Sequence, residues 1–170
     1  MKTTKNKLIA TAVLLVSLST SAFAQNTATN SDATATANIV APIAITNSAS
    51  INFGNVVATA AGGTVVLGTN GSVTPSGVAT LSGITPTAAE FTVTGDQNFT
   101  YSVTLPGNSD VSLSQQGATS MALTNFTSNA TGTFTAGSET FQVGATLHVG
   151  ANQAPGVYVS SGFDVTVTYN

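Results

Sequence analysis

The sequence predicts an all-β fold, either an antiparallel, immunoglobulin-like β-sandwich or a small β-barrel. Three observations support this fold class. After residue 24 the chain is dominated by Thr, Val, Ile, Phe and Tyr, which suit a pleated, half-buried surface. Gly, Asn, Asp and Pro interrupt these residues at short intervals, as turns between short strands require. Several runs also alternate apolar and polar residues, and we find no convincing helical pattern.

Apolar residues at every second position predict the individual strands, because one face of each strand must meet a core. The clearest alternation lies in 91–94, 99–105 and 141–149. Weaker strands are predicted at 51–57, 63–67, 78–81, 111–113 and 120–126. Turns are predicted at 70–71, 95–98 and 106–108, where Asn, Asp, Gly and Pro are concentrated.

The first 24 residues have the features of a secretion signal. Three lysines precede an apolar run over 8–18, and Ala22-Phe23-Ala24 provides the small-residue pattern of a cleavage site. The apolar run is shorter than the ~20 residues that span a bilayer, so a membrane anchor is the weaker interpretation. Cleavage after Ala24 would leave a mature chain, 25–170, without a membrane-spanning segment. We expect it to pass through the periplasm to the cell surface or the exterior.

The mature chain would carry no lysine or arginine, because Lys2, Lys5 and Lys7 are the only cations. Nucleic-acid binding depends on such cations to neutralise phosphates, so this class of function is excluded. The same lack of lysine and arginine argues against a phosphate-bearing cofactor, and we expect no cofactor. Charged residues make up 5% of the chain against a typical ~25%. A surface with so little charge repulsion favours association, although a secreted monomer is a second interpretation.

The residues that carry most enzyme chemistry are scarce. The chain has no cysteine, which excludes disulfides, thiolate metal sites and a cysteine nucleophile. His148 is the only histidine, and its position opposite to the apolar face of its strand predicts that it faces solvent. No Gly-x-Ser-x-Gly motif is present to place a serine beside it. The six carboxylates are far apart in the sequence and match no EF-hand spacing, so we predict neither an enzyme nor a metal site.

Residues 25–41 form a predicted arm ahead of a single domain at 42–170. Proline cannot donate to a strand ladder, so Pro42 separates the arm from a first domain strand that begins at Ile43. One interpretation is that the arm is a donor strand for another molecule. The other is that it is an ordinary first strand of the same sandwich. The apolar residues that share one face of the arm are Ala33, Ala35, Ala37 and Ile39.

The end of the chain carries a second alternating strand. Its apolar residues are Phe163, Val165, Val167 and Tyr169; Gly156 precedes it, and Tyr169 is the penultimate residue. These features resemble subunits of chaperone–usher pili. In those subunits the sandwich lacks its final strand, and a neighbour's N-terminal arm fills the open groove by strand addition.

This resemblance implies a pilin-like sandwich with a donor arm and an acceptor edge. Ala33, Ala35, Ala37 and Ile39 would fill the groove, and Phe163, Val165, Val167 and Tyr169 would line the acceptor edge. The implied partners are copies of the chain or related subunits, together with a periplasmic chaperone and an outer-membrane usher.

A closer resemblance covers nearly the whole mature chain. It is to an uncharacterised bacterial family, domain of unknown function 4402, and it implies a secreted, surface-associated β domain without an established activity. The segments that carry it are 39–43 (IVAPI), 52–56 (NFGNV), 91–95 (FTVTG), 101–106 (YSVTLP), 143–147 (VGATL) and 162–169 (GFDVTVTY).

The function that the sequence predicts is structural. We expect a secreted subunit of a surface filament, or fimbrium, that polymerises by donating its arm to the open edge of another copy. The alternative is a self-complete, monomeric sandwich that acts in adhesion or binding through loops such as 108–116 and 125–137.

Overall fold

The computed structural model describes residues 27–108 and 110–170, so the predicted secretion signal lies outside the described residues. The pairings between strands are all antiparallel, which confirms an all-β, antiparallel fold. No helix in these two stretches has the length and apolar character needed to cross a membrane. The strands are β1 (Ala44–Ala49), β2 (Asn55–Val57), β3 (Gly63–Leu67), β4 (Val73–Ser76), β5 (Ala79–Leu81), β6 (Ala89–Thr94), β7 (Tyr101–Thr104), β8 (Val111–Leu113), β9 (Met121–Ser128), β10 (Ser138–Val149) and β11 (Thr166–Tyr169).

The large sheet is organised around β10, its longest strand. β9 pairs with residues 143–147 of β10, β6 pairs with 138–143 and β3 with 145–149. Because a strand has only two edges, β6 and β3 follow one another along the edge of β10 opposite to β9. β1, β4 and β8 extend the sheet outward from β6, β3 and β9. β10 therefore runs beneath two halves of the domain, one at its pairing with β6 and the other at its pairing with β3.

Gly144 lies where β10 changes partner from β6 to β3. A Cβ atom at this position would collide with the carbonyl oxygen of Leu67 at the end of β3. The two backbones approach so closely that glycine alone fits without displacing a strand.

Two clusters of buried side chains form the core. The first, here the covered cluster, consists of Ala89, Phe91, Val93, Tyr101, Phe134, Phe141 and Val143. The second, here the groove cluster, consists of Phe53, Val65, Leu67, Val111, Met121, Leu123, Ala145, Leu147 and Val149.

Different elements lie over the two clusters. β7 and β11 form a two-stranded sheet, and its side chains Val103 and Val167 pack on the covered cluster. The groove cluster is met by β2, a strand of three residues that pairs with the equally short β5, and by an irregular segment from which Tyr158 packs inward. Regular hydrogen-bonded structure is thus more extensive over the covered cluster.

Most predicted strands are confirmed, with two differences. The predicted strand at 51–57 pairs regularly only as β2, because Gly54 adopts a left-handed φ of 73° and interrupts the extended chain. β4 was not predicted; it contains Pro75, which the fold accommodates because β4 is an edge strand of the large sheet. The first domain strand begins at Ala44, one residue after the predicted start, and residues 27–43 are in no strand.

Candidate interaction site

The last strand, β11, has one paired edge and one open edge. The N–H of Asn170 donates to the carbonyl of Thr100, in register with the β7–β11 ladder. Successive residues of a strand direct their backbone groups to opposite edges, so Thr166 and Thr168 also bond to β7. Val167 and Tyr169 direct theirs to the other edge, where no strand is paired in the described part of the chain.

The four residues predicted to line the acceptor edge lie together on this strand and the segment before it. Their side chains are half-buried and contact the core: Phe163 lies 5.2 Å from Phe126 and 6.5 Å from Phe91 between ring centroids. Val165, Val167 and Tyr169 pack against the covered cluster. Backbone groups directed to an open edge, with apolar side chains in a core, are what strand addition requires. The structure does not include an added strand, and the acceptor role stays a prediction.

A groove of about 1060 Å³ lies over the groove cluster. Its floor includes Leu123 and Leu147, which are 1% and 3% exposed. One wall is formed by residues 51–58, which include β2, and the other by residues 153–163, which lead into β11. The segment that forms this second wall leads along the chain into β11.

The rim of the groove is apolar and faces solvent. Val57 and Ile84 are 41% and 49% exposed beside the first wall, and Val157 and Val159 are 81% and 61% exposed on the second. These four make up more than half of the exposed large apolar residues described in the chain. An apolar rim around an apolar groove is typical of surfaces that bind another chain or a ligand.

Other sheet edges carry features that hinder pairing with a foreign strand. β4 contains Pro75, which lacks an N–H. β1 has a bulge between Asn47 and Ala49, where the Asn47 side chain bonds to the Ala49 and Glu90 carbonyls. β5 and β8 are only three residues long. The segment from Val165 to Tyr169 contains neither proline nor charge. The edge of β11 is therefore less protected against pairing with a foreign strand than these other edges.

The predicted donor residues are in no strand. Ala33, Ala35 and Ala37 lie in an extended stretch without ladder pairing, and Ile39 is 92% exposed. The role of these residues as a donor strand stays a prediction.

Glu139 is the most highly bonded carboxylate of the domain. It accepts hydrogen bonds from the Tyr101 hydroxyl at 2.6 Å and from the backbone N–H groups of Thr131 and Thr133 at 2.6 and 3.3 Å. Burial by itself would raise the pKa of Glu139, but these bonds outweigh it and the pKa is lowered. Burial, and then the bond to Glu139, raise the pKa of Tyr101. The pair fastens the 131–133 segment to β10.

The remaining candidate chemical groups serve local structure. His148 is exposed, as predicted, and its Nε2 lies 2.8 Å from the Thr124 hydroxyl of β9. Asp96 accepts from the Asn98 backbone and Asp110 from the Gly107 backbone, which stabilises two turns. Within the described residues no three histidine or carboxylate side chains converge on one point where a metal ion could bind.

Sequence reasoning did not find the groove or the contacts of the Tyr169 hydroxyl. The groove is lined by residues from six strands and four connecting segments, which no local pattern brings together. The Tyr169 hydroxyl bonds to the Asp96 N–H and to the Ala41 carbonyl, which are remote from it in the sequence. Alternation in 163–169 did indicate the strand on which both features depend.

Comparison with known proteins gives one match. The model of a family described as "Domain of unknown function (DUF4402)" matches residues 43–169, which includes every strand described above and excludes the predicted arm. This confirms the closer of the two resemblances. No curated protein and no solved structure matches the chain.

Proposed function

The chain belongs to the DUF4402 family, and we propose that this member is a secreted structural subunit of a surface filament, assembled by strand donation between copies. In this proposal the domain is an immunoglobulin-like, pilin-like sandwich whose second layer lacks one strand. The arm of a neighbouring copy supplies that strand. A periplasmic chaperone and an outer-membrane usher would assist assembly, as in the pili that the sequence resembles.

Two observations support the proposal: one edge of β11 is unpaired, and the segment that leads into β11 forms a wall of an apolar groove. A strand laid in this groove would gain main-chain hydrogen bonds from the β11 edge and would place alternate side chains against the groove cluster. It would also shield Val157 and Val159 of the rim, which are 81% and 61% exposed. The same insertion would thus satisfy the open backbone groups and cover the exposed apolar surface.

The arm has the composition that such a groove needs. Residues 33–41 carry no charge, and their odd positions are all apolar. Each copy has both an arm and an edge, so one copy's arm can pair with the next copy's edge without using the same surface twice. Contacts of this heterologous kind generate open filaments unless the rotation between copies closes a ring.

The test compares two single substitutions that add the same charge at neighbouring positions. Ile39→Asp would force a carboxylate into the apolar groove without a partner, which costs several kcal/mol, of the order of 2–7 for an unpaired polar group. Asn38→Asp adds the charge at an even position, on the opposite face of the arm. We expect electron microscopy and size-exclusion chromatography to show filaments for the unaltered chain and N38D but monomers for I39D.

Circular dichroism and denaturant unfolding of the monomers provide the folding control, because residues 27–43 contribute no strand to the domain. All three chains should unfold at the same denaturant concentration. If I39D formed as many filaments as N38D, the assignment of the donor face would be wrong. An unaltered chain that stays monomeric at the cell surface would reject the filament proposal and favour the adhesion module.

A further inference from the structure

One side chain holds the point at which the arm leaves the domain. The Tyr169 hydroxyl accepts a hydrogen bond from the Asp96 N–H at 2.7 Å and donates one to the Ala41 carbonyl at 2.9 Å. Both hydrogen-bonding functions of the phenol are therefore used. The bond to Ala41 joins residues 128 positions apart and links the start of the domain to its last strand.

The surroundings hold the phenol in this position. The Tyr169 ring lies between Phe99 and Phe134, with centroids at 5.7 and 6.1 Å. A Cβ atom on Gly95 would come within 2.5 Å of the phenol oxygen and 2.8 Å of Phe134. Glycine at 95 thus leaves the space that the hydroxyl occupies. A contact enclosed on these sides has little freedom to move.

The chain on either side of Ala41 is also restricted. Pro42 follows it, and a proline confines the preceding residue to extended conformations. Ile43 then packs on the covered cluster, and Ala44 pairs with Thr94 as β1 begins. The backbone at Ala41 is therefore fixed in conformation by Pro42 and in place by Tyr169.

From this geometry we propose that Tyr169 is a positioning residue for the arm. Its hydroxyl sets where, and in which direction, the chain leaves the domain, at the end of the same strand whose open edge takes the arm of the next copy. This inference rests on the proposed function, because the direction of the arm matters for assembly only if the arm is a donor. In a filament the arm is the joint between subunits, so a loosened joint would make the filament bend more easily.

The test removes single hydroxyl groups. Tyr169→Phe deletes the bonds to Asp96 and Ala41 and keeps the ring. Tyr101→Phe is the matched control, because it also deletes a phenol hydroxyl, which bonds to Glu139 and not to the arm, and Tyr101 does not line the groove. The chain has no cysteine, so Asn38→Cys in each background gives a single site for a spin label on the non-donor face of the arm.

We expect Y169F to increase the mobility of the label at position 38 in the monomer and to shorten the persistence length of the filaments. Y101F should change neither quantity. If Y169F does not fold, Gly95→Ala, which displaces the phenol oxygen, should give the same gain in mobility.

Two results would overturn the positioning role: an immobile label in Y169F, or a mobile label with filaments as straight as those of the unaltered chain. Failure of the unaltered chain to form filaments would instead reject the proposed function. The mobility measurement on monomers separates these two cases.

Discussion

The covered cluster and the groove cluster share the floor strand β10 but differ in what lies above them. Over the covered cluster, β7 and β11 are paired through four residues each, and aromatic rings pack closely, with Phe91 and Phe141 stacked at 5.7 Å. Over the groove cluster, the regular structure is a pair of three-residue strands, and a groove of about 1060 Å³ remains.

This difference shows where the domain is complete and where it is open. The large sheet is equally buried under both halves: Val93 and Val143 of the covered cluster are 0% exposed, and Val65 and Leu123 of the groove cluster are 0% and 1% exposed. The opening is therefore in the second layer and not in the core beneath it. A domain whose large sheet is fully buried but whose covering layer is open can be stable alone and still accept a further strand.

The largest expected effect comes from removing the ring at the centre of the covered cluster. Phe141 is 1% exposed, so Phe141→Ala would lose its packing and leave a cavity, at a cost of about 3–5 kcal/mol in the free energy of unfolding. Denaturant unfolding monitored by circular dichroism measures this change. The matched control is Val157→Ala on the rim of the groove, where the side chain is 81% exposed and the expected change is within about 0.5 kcal/mol.

If V157A lowered the free energy of unfolding as much as F141A, the comparison of the two clusters would be contradicted, because the rim would then be part of the folded core of the monomer. Under the proposed function, V157A should instead weaken filament assembly, in which this side chain becomes covered.

A smaller effect distinguishes the two edges of β11. Thr168→Pro removes an N–H that bonds to β7 and leaves the Ser102 carbonyl unpaired, which costs about 1–3 kcal/mol of stability. Val167→Pro removes an N–H at the open edge, so the loss in monomer stability should be smaller. Filament yield should fall in V167P even though the monomer is folded. Equal destabilisation by the two prolines, measured by denaturant unfolding, would show that the edge is not open.

The strands of the covered half could be predicted from sequence because their side-chain pattern is strict. In β6 and β10, Phe91, Val93, Phe141 and Val143 alternate with polar residues, and each apolar residue is buried. Such alternation has one low-energy solution when a single face meets a core. The same reasoning located β11, where Val167 and Tyr169 turn inward.

The groove half was harder to predict for physical reasons. Its covering strands are short and interrupted, as at Gly54, and their register depends on contacts between distant residues. β4 contains Pro75, which is atypical of a strand interior, and no local pattern shows that this strand lies at an edge, where proline is tolerated. The groove itself is a space between segments, and the anchor at Tyr169 is a bond between residues at opposite ends of the domain. Neither has a local sequence pattern.

The smallest effect concerns the hydrogen bonds that fasten the 131–133 segment beside the covered cluster. The pKa of Glu139 is lower in the folded state than its ordinary value of 4.5. The ionised carboxylate therefore stabilises the fold above that value, and this contribution is lost as the pH falls through the folded-state pKa. Glu139→Gln should lower the stability at neutral pH and flatten its decline below about pH 4.5, as measured by unfolding across pH. Tyr101→Phe, which removes one of the bonds to the carboxylate, should flatten the decline less, because the Thr131 and Thr133 N–H groups still hold it. An acid decline in E139Q as steep as in the unaltered chain would assign the acid sensitivity to other carboxylates and leave Glu139 without this role.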